Sequence, residues 1–284
     1  MVPFKVDLTG EVVVVTGGSG ILCSCMAKAL AECGAKVVVA SRRQDAVDKV
    51  ASEIRAAGGT AMGLSLDVLD KASVERANTL VEKEYGVVTL LINGVGGNNP
   101  KGNTTREYLL PEDLAGKADG ITTFFDLDPQ GIEMVFNLNF QGTLIPTQVF
   151  ARGMAKAGRG AVINITSMSA LLPLTKVMAY GAAKAAVSNF TQWLAVHLSK
   201  VGVRVNAIAP GFFLTEQNRA LLTQPDGSLT ARGNTIVAHT PMGKFGRPED
   251  LTGVLLWLAS REASGFVTGT VIPVDGGFNA FSGV

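Results

Sequence analysis

Residues 12–23, V-V-V-V-T-G-G-S-G-I-L-C, form the stretch that decides the fold. The run of four valines is typical of a short buried strand, and a helical pattern follows the glycines. Glycines at such a junction let the backbone approach a pyrophosphate, and a helix start offers free N–H groups. The turn Thr16, Gly17, Gly18, Ser19 and Gly20 therefore predicts a phosphate site, although a tight strand-to-helix turn without a ligand would carry the same residues.

The rest of the chain alternates short apolar runs with helical patterns. The further runs lie at 37–40, 60–66, 88–92, 161–165, 203–208 and 270–274, and helical patterns at 26–33, 45–57, 73–85, 132–157 and 179–201. Strands that alternate with helices predict parallel pairing with right-handed crossovers. We therefore expect an α/β protein: one doubly wound, seven-stranded parallel sheet of the Rossmann type, in a single domain spanning 1–284, with ligands at the carboxyl ends of the strands.

Two stretches interrupt this alternation, 96–130 and 212–248. Connections of such length are commonly lids or binding loops, or else disordered. Both follow strands at the edge where ligands are expected. They predict lid or substrate loops, with surface decoration as the alternative.

Composition excludes several classes of partner. The chain has 25 Lys plus Arg against 24 Asp plus Glu, so its charge of +1 offers no general attraction to nucleic acid or an anionic membrane. It has no apolar run long enough for a membrane span and no signal-peptide core at its start. We expect a soluble, cytoplasmic protein with a small-molecule partner. Three clustered cysteines and two distant histidines predict neither a disulfide framework nor a metal site.

Tyr180 and Lys184, in A-Y-G-A-A-K-A-A-V, are four residues apart and share a helical face. An ammonium there can lower the pKa of a tyrosine toward the physiological range, which would make Tyr180 a proton donor and acceptor. The pair alone also fits two solvated side chains. Ser167, in I-N-I-T-S-M-S where an apolar strand ends, strengthens the catalytic interpretation because three compatible groups could meet.

The second strand ends in A-S-R-R-Q, with Ser41, Arg42 and Arg43 where enzymes preferring NAD often carry an acidic residue. Arginine suits a 2′-phosphate because its planar fork matches phosphate geometry. This favours NADP over NAD, unless both arginines are simply solvated.

In this order and spacing the motifs resemble those of a short-chain dehydrogenase/reductase over nearly the full length. The remaining motifs that carry the resemblance are Asp67 in L-D-V, Asn93-Gly94-Val95-Gly96, Asn139 in F-N-L-N-F-Q-G-T, Pro210-Gly211 with Thr215, and V-D-G-G at 274–277. We accordingly expect a dinucleotide to contact Gly17, Gly18, Ser19, Gly20, Ile21, Ser41, Arg42, Arg43, Asp67, Val68, Asn93, Gly94, Tyr180, Lys184, Pro210, Gly211 and Thr215.

The resemblance also implies catalytic roles for Asn139, Ser167, Tyr180 and Lys184. Tyr180 would exchange the proton at the substrate oxygen while a hydride moves to or from the nicotinamide, and Ser167 would hold that oxygen. Lys184 would lower the pKa of Tyr180 and hold the nicotinamide ribose. Asn139 would anchor a water that links Lys184 to solvent; a polar group satisfied within its own helix is the alternative.

Two departures from the family pattern stand out. With L-A-E-C-G-A held in register, Ile21 and Cys23 occupy positions where glycines are usual, and the segment after the fourth strand has one asparagine of the usual two. The stretches G-G-S-G-I-L-C, I-N-G-V-G-G-N-N-P, F-F-D-L-D, S-N-F-T-Q-W-L-A-V-H-L and P-G-F-F-L-T-E-Q-N-R resemble the D-mannonate oxidoreductases, or fructuronate reductases, of this same family. This resemblance implies interconversion of D-fructuronate and D-mannonate. Another sugar-acid or ketone reductase, such as a gluconate 5-dehydrogenase type, and a non-catalytic dinucleotide-binding protein are the alternatives.

A uronate carboxylate requires hydrogen-bond donors, and cationic side chains serve best. The candidates near the expected pocket are Asn98, Asn99, Lys101, Lys176, Gln217, Asn218 and Arg219, each of which could instead be a solvated surface residue.

Apolar positions exceed the needs of one core face on the helices that carry Asn139 and Tyr180, at Phe140, Phe190, Trp193 and Leu194. By family resemblance these helices, together with the C-terminal segment G-F-N-A-F-S-G-V, predict a homotetramer. Ordinary core packing is the alternative.

Overall fold

The computed structural model describes residues 6–114 and 119–283, except the side chains of Glu216, Gln217 and Ala220. Within them, seven parallel strands form one sheet in the order β3-β2-β1-β4-β5-β6-β7. The strands are β1 (Val12–Thr16), β2 (Lys36–Ser41), β3 (Thr60–Ser65), β4 (Leu90–Asn93), β5 (Gly160–Ile165), β6 (Val203–Pro210) and β7 (Val271–Val274). All seven predicted strands and the doubly wound topology are confirmed.

Helices cover both faces of the sheet. They are α1 (Ile21–Glu32), α2 (Gln44–Ala56), α3 (Lys71–Glu84), α4 (Pro129–Phe136), α5 (Gly142–Ala157), α6 (Met178–Leu198), α7 (Glu216–Leu222), α8 (Ala231–Ala238), α9 (Thr252–Ala259) and α10 (Arg261–Ser264). No helix in the described part of the chain has the length and apolarity needed to cross a membrane.

The core has two layers because β1 is buried on both faces. Val13 and Val15 pack toward the layer that contains α1, α2 and α9, whereas Val12 and Val14 pack toward the layer that contains α3, α5 and α6. Strands covered by helices on both sides become continuous apolar runs. This is why four consecutive valines form a strand here.

The predicted helix over 132–157 is wrong in one respect. A π-helical turn, Asn137–Gln141, separates α4 from α5 and places Asn139 in the interior. The side chain of Asn139 donates to the carbonyl oxygens of Val135 and Gly97, both at 2.7 Å. The contact with Gly97 is a tertiary one, so helical periodicity could not reveal it. Wide turns of this kind occur often at functional sites.

The sheet order reverses between β1 and β4, which places their carboxyl ends at the point where α/β proteins bind ligands. Thr16 pairs with Asn93 there, so the loops that follow these residues face each other.

The long connection after β4 is partly ordered by its own contacts. It contains three short 3-10 helices, Pro100–Gly102, Pro111–Leu114 and Phe124–Asp126. The nearly buried carboxylate of Asp113 pairs with Arg106 at 2.8 Å, and the N–H of Thr104 donates to the carbonyl of Lys176. The segment is thereby attached just before α6.

Candidate active site

The glycine turn after β1 packs against the loop after β4. Gly17 has φ of 68°, and a Cβ there would lie 2.9 Å from the carbonyl carbon and oxygen of Gly94. A Cβ on Gly18 would lie 2.8 Å from Cγ1 of Val39. Both positions therefore require glycine, in one case for conformation as well as for space.

Helix α1 starts directly after this turn. Its N-cap, Gly20, contributes no side chain, and the first turn carries no acidic residue. The N–H groups of the first helical turn, beginning at Ile21, thus lack an intrahelical acceptor and a capping side chain, and they form the positive end of the helix dipole. These features fit the pyrophosphate of a dinucleotide.

Ser41, Arg42 and Arg43 connect β2 to α2 beside the glycine turn. The hydroxyl of Ser19 donates to that of Ser41 at 2.9 Å, which ties the two loops together. Both arginines are exposed. No carboxylate lies between Ser41 and Gln44, so a 2′-phosphate would meet no negative side chain in this connection.

Asp67 and Val68 follow β3. Asp67 is exposed and accepts the N–H of Leu69 at 3.0 Å. The side chain of Val68 is buried in the core layer of α3, α5 and α6, so only its backbone can face a ligand.

The side chain of Asn93 is directed into the protein interior, so the predicted contact of this residue with the cofactor would be made by its backbone. Asn93 is buried, and its amide nitrogen donates to Thr147 Oγ1 at 2.8 Å and to Asn164 Oδ1 at 2.9 Å. Asn164 in turn donates to Thr191. This buried polar network joins β4 and β5 to helices α5 and α6, so Asn93 serves the scaffold.

Asn139, Lys184 and Gly96 meet after β4. A Cβ on Gly96 would lie 2.7 Å from Oδ1 of Asn139 and 2.8 Å from Nζ of Lys184. Lys184 is buried and donates to the carbonyl of Ile165 at 2.9 Å. The predicted proximity of Asn139 and Lys184 is therefore present, and Gly96 leaves room for both side chains.

Ser167 lies just beyond β5 and accepts hydrogen bonds from the N–H and the hydroxyl of Ser169, at 3.2 and 3.0 Å. Its own hydroxyl hydrogen remains to be donated, and the hydrogen bond between Ser167 and Tyr180 acts to lower the pKa of the phenol. Sequence reasoning missed Ser169. The repeat S-M-S after a strand end was the available signal, because a second hydroxyl two residues on can orient the first.

The expected effect of Lys184 on the pKa of Tyr180 is not present in the protein alone. Burial raises the pKa of Tyr180 above its ordinary value, and the hydrogen bond with Ser167 opposes the rise. Nζ of Lys184 lies 5.8 Å from the Tyr180 ring centroid and is engaged by Ile165. Burial lowers the pKa of Lys184 itself to about 8, so this lysine loses its proton more readily than an exposed one.

The two departures from the family pattern touch each other. A Cβ on Gly94 would overlap Sγ of Cys23, which lies 3.8 Å from the carbonyl oxygen of Gly94. The thiol therefore occupies space that a side chain at position 94 would need. Burial raises the pKa of Cys23 to about 11, so this thiol is a packing group.

The candidates around the pocket have partners within the protein. Lys176 has φ of 70° and its Nζ lies 3.8 Å from Glu107, with 30% of the side chain exposed. Lys101 pairs with Asp128 at 3.5 Å and is 70% exposed. Because Lys176 is held four residues before Tyr180, it is the better placed of the two lysines.

The polar candidates serve local structure. Asn98 donates to Asn103, and Asn99 caps the 3-10 helix Pro100–Gly102. The amide of Asn218 accepts from the N–H of Thr215 and donates to Phe213. These contacts engage the three asparagines in local structure, and a role for them in substrate binding stays a prediction. Arg219 is exposed on α7, and the side chain of Gln217 lies outside the described residues.

Pro210 ends β6, and Gly211 approaches the V-D-G-G segment closely. A Cβ on Gly211 would lie 2.6 Å from Cα of Asp275, and its N–H donates to Val274. Thr215 is the N-cap of α7. The segment expected to cover the nicotinamide thus starts at the carboxyl end of β6.

The family model for the short-chain dehydrogenases matches residues 11–226, most of the sequence. The protein belongs to the short-chain dehydrogenase family. A member of this family is an NAD(P)-dependent oxidoreductase, which agrees with the glycine turn and the free N–H groups of α1 described above.

Individual relatives of this short-chain dehydrogenase extend over its full length. It is 51% identical to the uncharacterized oxidoreductase UxuB of Bacillus subtilis over 100% of both chains. A proposed D-mannonate oxidoreductase from Haemophilus influenzae, crystallised with bound NAD, is 48% identical, with a TM-score of 0.93 and 100% coverage of both chains. A gluconate 5-dehydrogenase from Burkholderia cenocepacia, in complex with NADP and tartrate, is 28% identical, with a TM-score of 0.82 and coverage of 99% and 100%.

Proposed function

We propose that this short-chain dehydrogenase interconverts a keto sugar acid and its hydroxy acid, with D-fructuronate and D-mannonate as the pair. The observation that carries the reaction type is the convergence of Ser167, Tyr180, Lys184 and Asn139 at the carboxyl ends of β4 and β5. The substrate rests on similarity to the Haemophilus influenzae protein.

The nicotinamide cofactor, when bound, supplies or accepts the hydride. In reduction, Tyr180 donates its phenolic proton to the substrate oxygen; its raised pKa keeps it protonated at neutral pH. Ser167, oriented by Ser169, donates its hydroxyl hydrogen to the same oxygen and stabilises the charge that develops there. Lys184 holds a proton behind Tyr180, and the π-helical turn at Asn139 keeps that end of the relay in place.

The substrate carboxylate is proposed to bind Lys176. Its left-handed backbone accepts a hydrogen bond from Thr104, which holds the lysine four residues before Tyr180. A substrate carboxylate would replace or share the partner Glu107, from which Nζ is 3.8 Å away.

Lys176→Met and the matched control Lys101→Met separate this proposal from a general charge effect. Both lysines are paired with an acid on the long connection after β4. Lys176→Met should raise KM for D-fructuronate roughly tenfold, the loss expected for one charge-assisted hydrogen bond, but leave KM for the uncharged ketose D-fructose unchanged. Lys101→Met should change neither. Equal effects of the two variants would refute the assignment.

We also propose a preference for NADP(H), supported by Arg42 and Arg43 and by the absence of a carboxylate from residues 41–44. Arg42→Ala/Arg43→Ala should weaken NADPH binding more than NADH binding. The double variant supports the preference only if the ratio of the two Kd values changes.

Initial rates with D-fructuronate, 5-keto-D-gluconate and other keto sugar acids, each with NADH and NADPH, test the substrate. D-fructuronate should give the highest kcat/KM. A higher value with 5-keto-D-gluconate would transfer the proposal to the gluconate 5-dehydrogenase type. No turnover of any keto acid would overturn the proposed substrate class.

We further propose a homotetramer formed through α5 and α6. Trp193 is 58% exposed and stacks on His197, and Val196 is 77% exposed on the same helix. Phe140 and Phe190 pack edge-to-face beside them. Leu194 was expected to join this surface, but it is buried in the core.

A further inference from the structure

A charged cavity lies at the edge of the sheet opposite the candidate active site. It has a volume of about 420 Å³ and opens beneath the amino ends of β4, β5 and β6. Arg204, in its wall, lies six residues before Pro210 on β6, a separation of about 20 Å along an extended strand. The cavity is therefore separate from the dinucleotide cleft.

Three arginines and one glutamate are the charged residues that line this cavity: Arg159, Arg204, Arg261 and Glu11. Arg159 and Glu11 form a loose pair at 3.7 Å. The guanidinium groups of Arg204 and Arg261 thus have no carboxylate partner among the described lining residues.

Arg204 is held in a fixed position. Its guanidinium donates to the carbonyl of Leu258 at 2.9 Å and to Oγ of Ser264 at 3.1 Å. These bonds use two of its five N–H donors. Burial, together with repulsion from the neighbouring Arg261, lowers the pKa of Arg204. Arg204 is partly buried and Arg261 is exposed, and an anion bound between them would offset the repulsion of their like charges.

We infer that this cavity is a binding site for a small organic dianion, either a phosphate monoester or a dicarboxylate. Arg204 and Arg261 supply the charge, and guanidinium forks match both groups geometrically. The fully exposed ring of Phe266 stands at the wall and offers an apolar face to the rest of the ligand. The match between this cavity and a dianion is independent of which substrate the oxidoreductase acts on.

Isothermal titration with glycerol 3-phosphate and, separately, with malonate tests the site and distinguishes the two dianions. The titrations are run with saturating cofactor, so that the pyrophosphate region at α1 is occupied, and at constant ionic strength. One saturable event per protomer is expected for at least one probe. Absence of saturable binding for both would overturn the inference.

Arg261→Gln is the principal variant because this residue is exposed and its loss should not unfold the protein. It should weaken binding of the probe roughly tenfold, as expected for one lost charge-assisted contact. Arg232→Gln, an exposed arginine on α8, is the control and should leave the affinity unchanged. Unchanged binding in Arg261→Gln, or equal weakening in both variants, would contradict the site. Arg204→Gln adds a second measurement if circular dichroism shows that it folds.

Discussion

Replacing Gly94 with alanine should destabilise the protein mainly because Cys23 is present. The new Cβ would overlap Sγ of Cys23 and lie 2.7 Å from the carbonyl oxygen of Thr16, but it would be 3.6 Å from Cβ of Cys23. Relaxed contacts between carbon atoms are about 3.5–4.0 Å. Cys23→Ala therefore removes the worst overlap and leaves the weaker one with Thr16.

The expected magnitudes follow from this geometry. Gly94→Ala alone should cost about 3 kcal/mol, at the upper end for overpacking, and Cys23→Ala alone about 1 kcal/mol for a small buried cavity. The free energy of unfolding lost in the double variant should be smaller than the sum of the two single losses by about 1 kcal/mol or more. Equilibrium urea unfolding of the four proteins measures the free energies.

Cys25→Ala provides the control, since Cys25 lies on the same helix. Its effect on the free energy of unfolding should simply add to that of Gly94→Ala. Additivity for both cysteines would refute the conclusion that the departures at positions 23 and 94 form one packing unit. The cofactor Kd should follow the same pattern, because Gly17 also packs on Gly94.

Three further outcomes are expected. The reductive kcat should fall as pH rises through about 8, because Lys184 loses its proton there. Tyr180 stays protonated over this range because its pKa is raised. A kcat that is constant across this range would contradict the role of Lys184. Asn139→Ala should lower kcat about tenfold or more, because it removes the hydrogen bonds to Gly97 and Val135. The cofactor Kd, measured by fluorescence titration, should be nearly unchanged. An unchanged kcat would mean that Asn139 is purely structural. Trp193→Ala should reduce the mass found by light scattering, whereas Phe266→Ala should not, and a monomeric wild type would reject the proposed tetramer.

The strands and their order could be predicted because local and global signals agree. Runs such as Val12–Thr16 are β-branched, short and buried on both faces, and the alternation with helices restricts the topology. The grouping of Ser167, Tyr180 and Lys184 could be predicted for a related reason: Ser167 follows a strand end, and Tyr180 and Lys184 share a helical face at a known spacing.

Features set by distant contacts could not be predicted. The π-helical turn depends on the bonds between Asn139 and Gly97, which are 42 residues apart. The burial of Asn93 depends on Thr147 and Asn164, and a polar residue at a strand end gives no indication of which way its side chain points. The raised pKa of Tyr180 reflects burial, which the spacing to Lys184 does not determine.

Tyr180→Phe tests the central claim most directly, because it removes only the phenolic hydroxyl group. With the keto acid that gives the highest rate, turnover should fall by about 10²–10⁴-fold, the contribution expected of a general acid, while the cofactor Kd stays within about twofold of wild type. Turnover close to wild type in Tyr180→Phe, with the cofactor bound normally, would contradict the account.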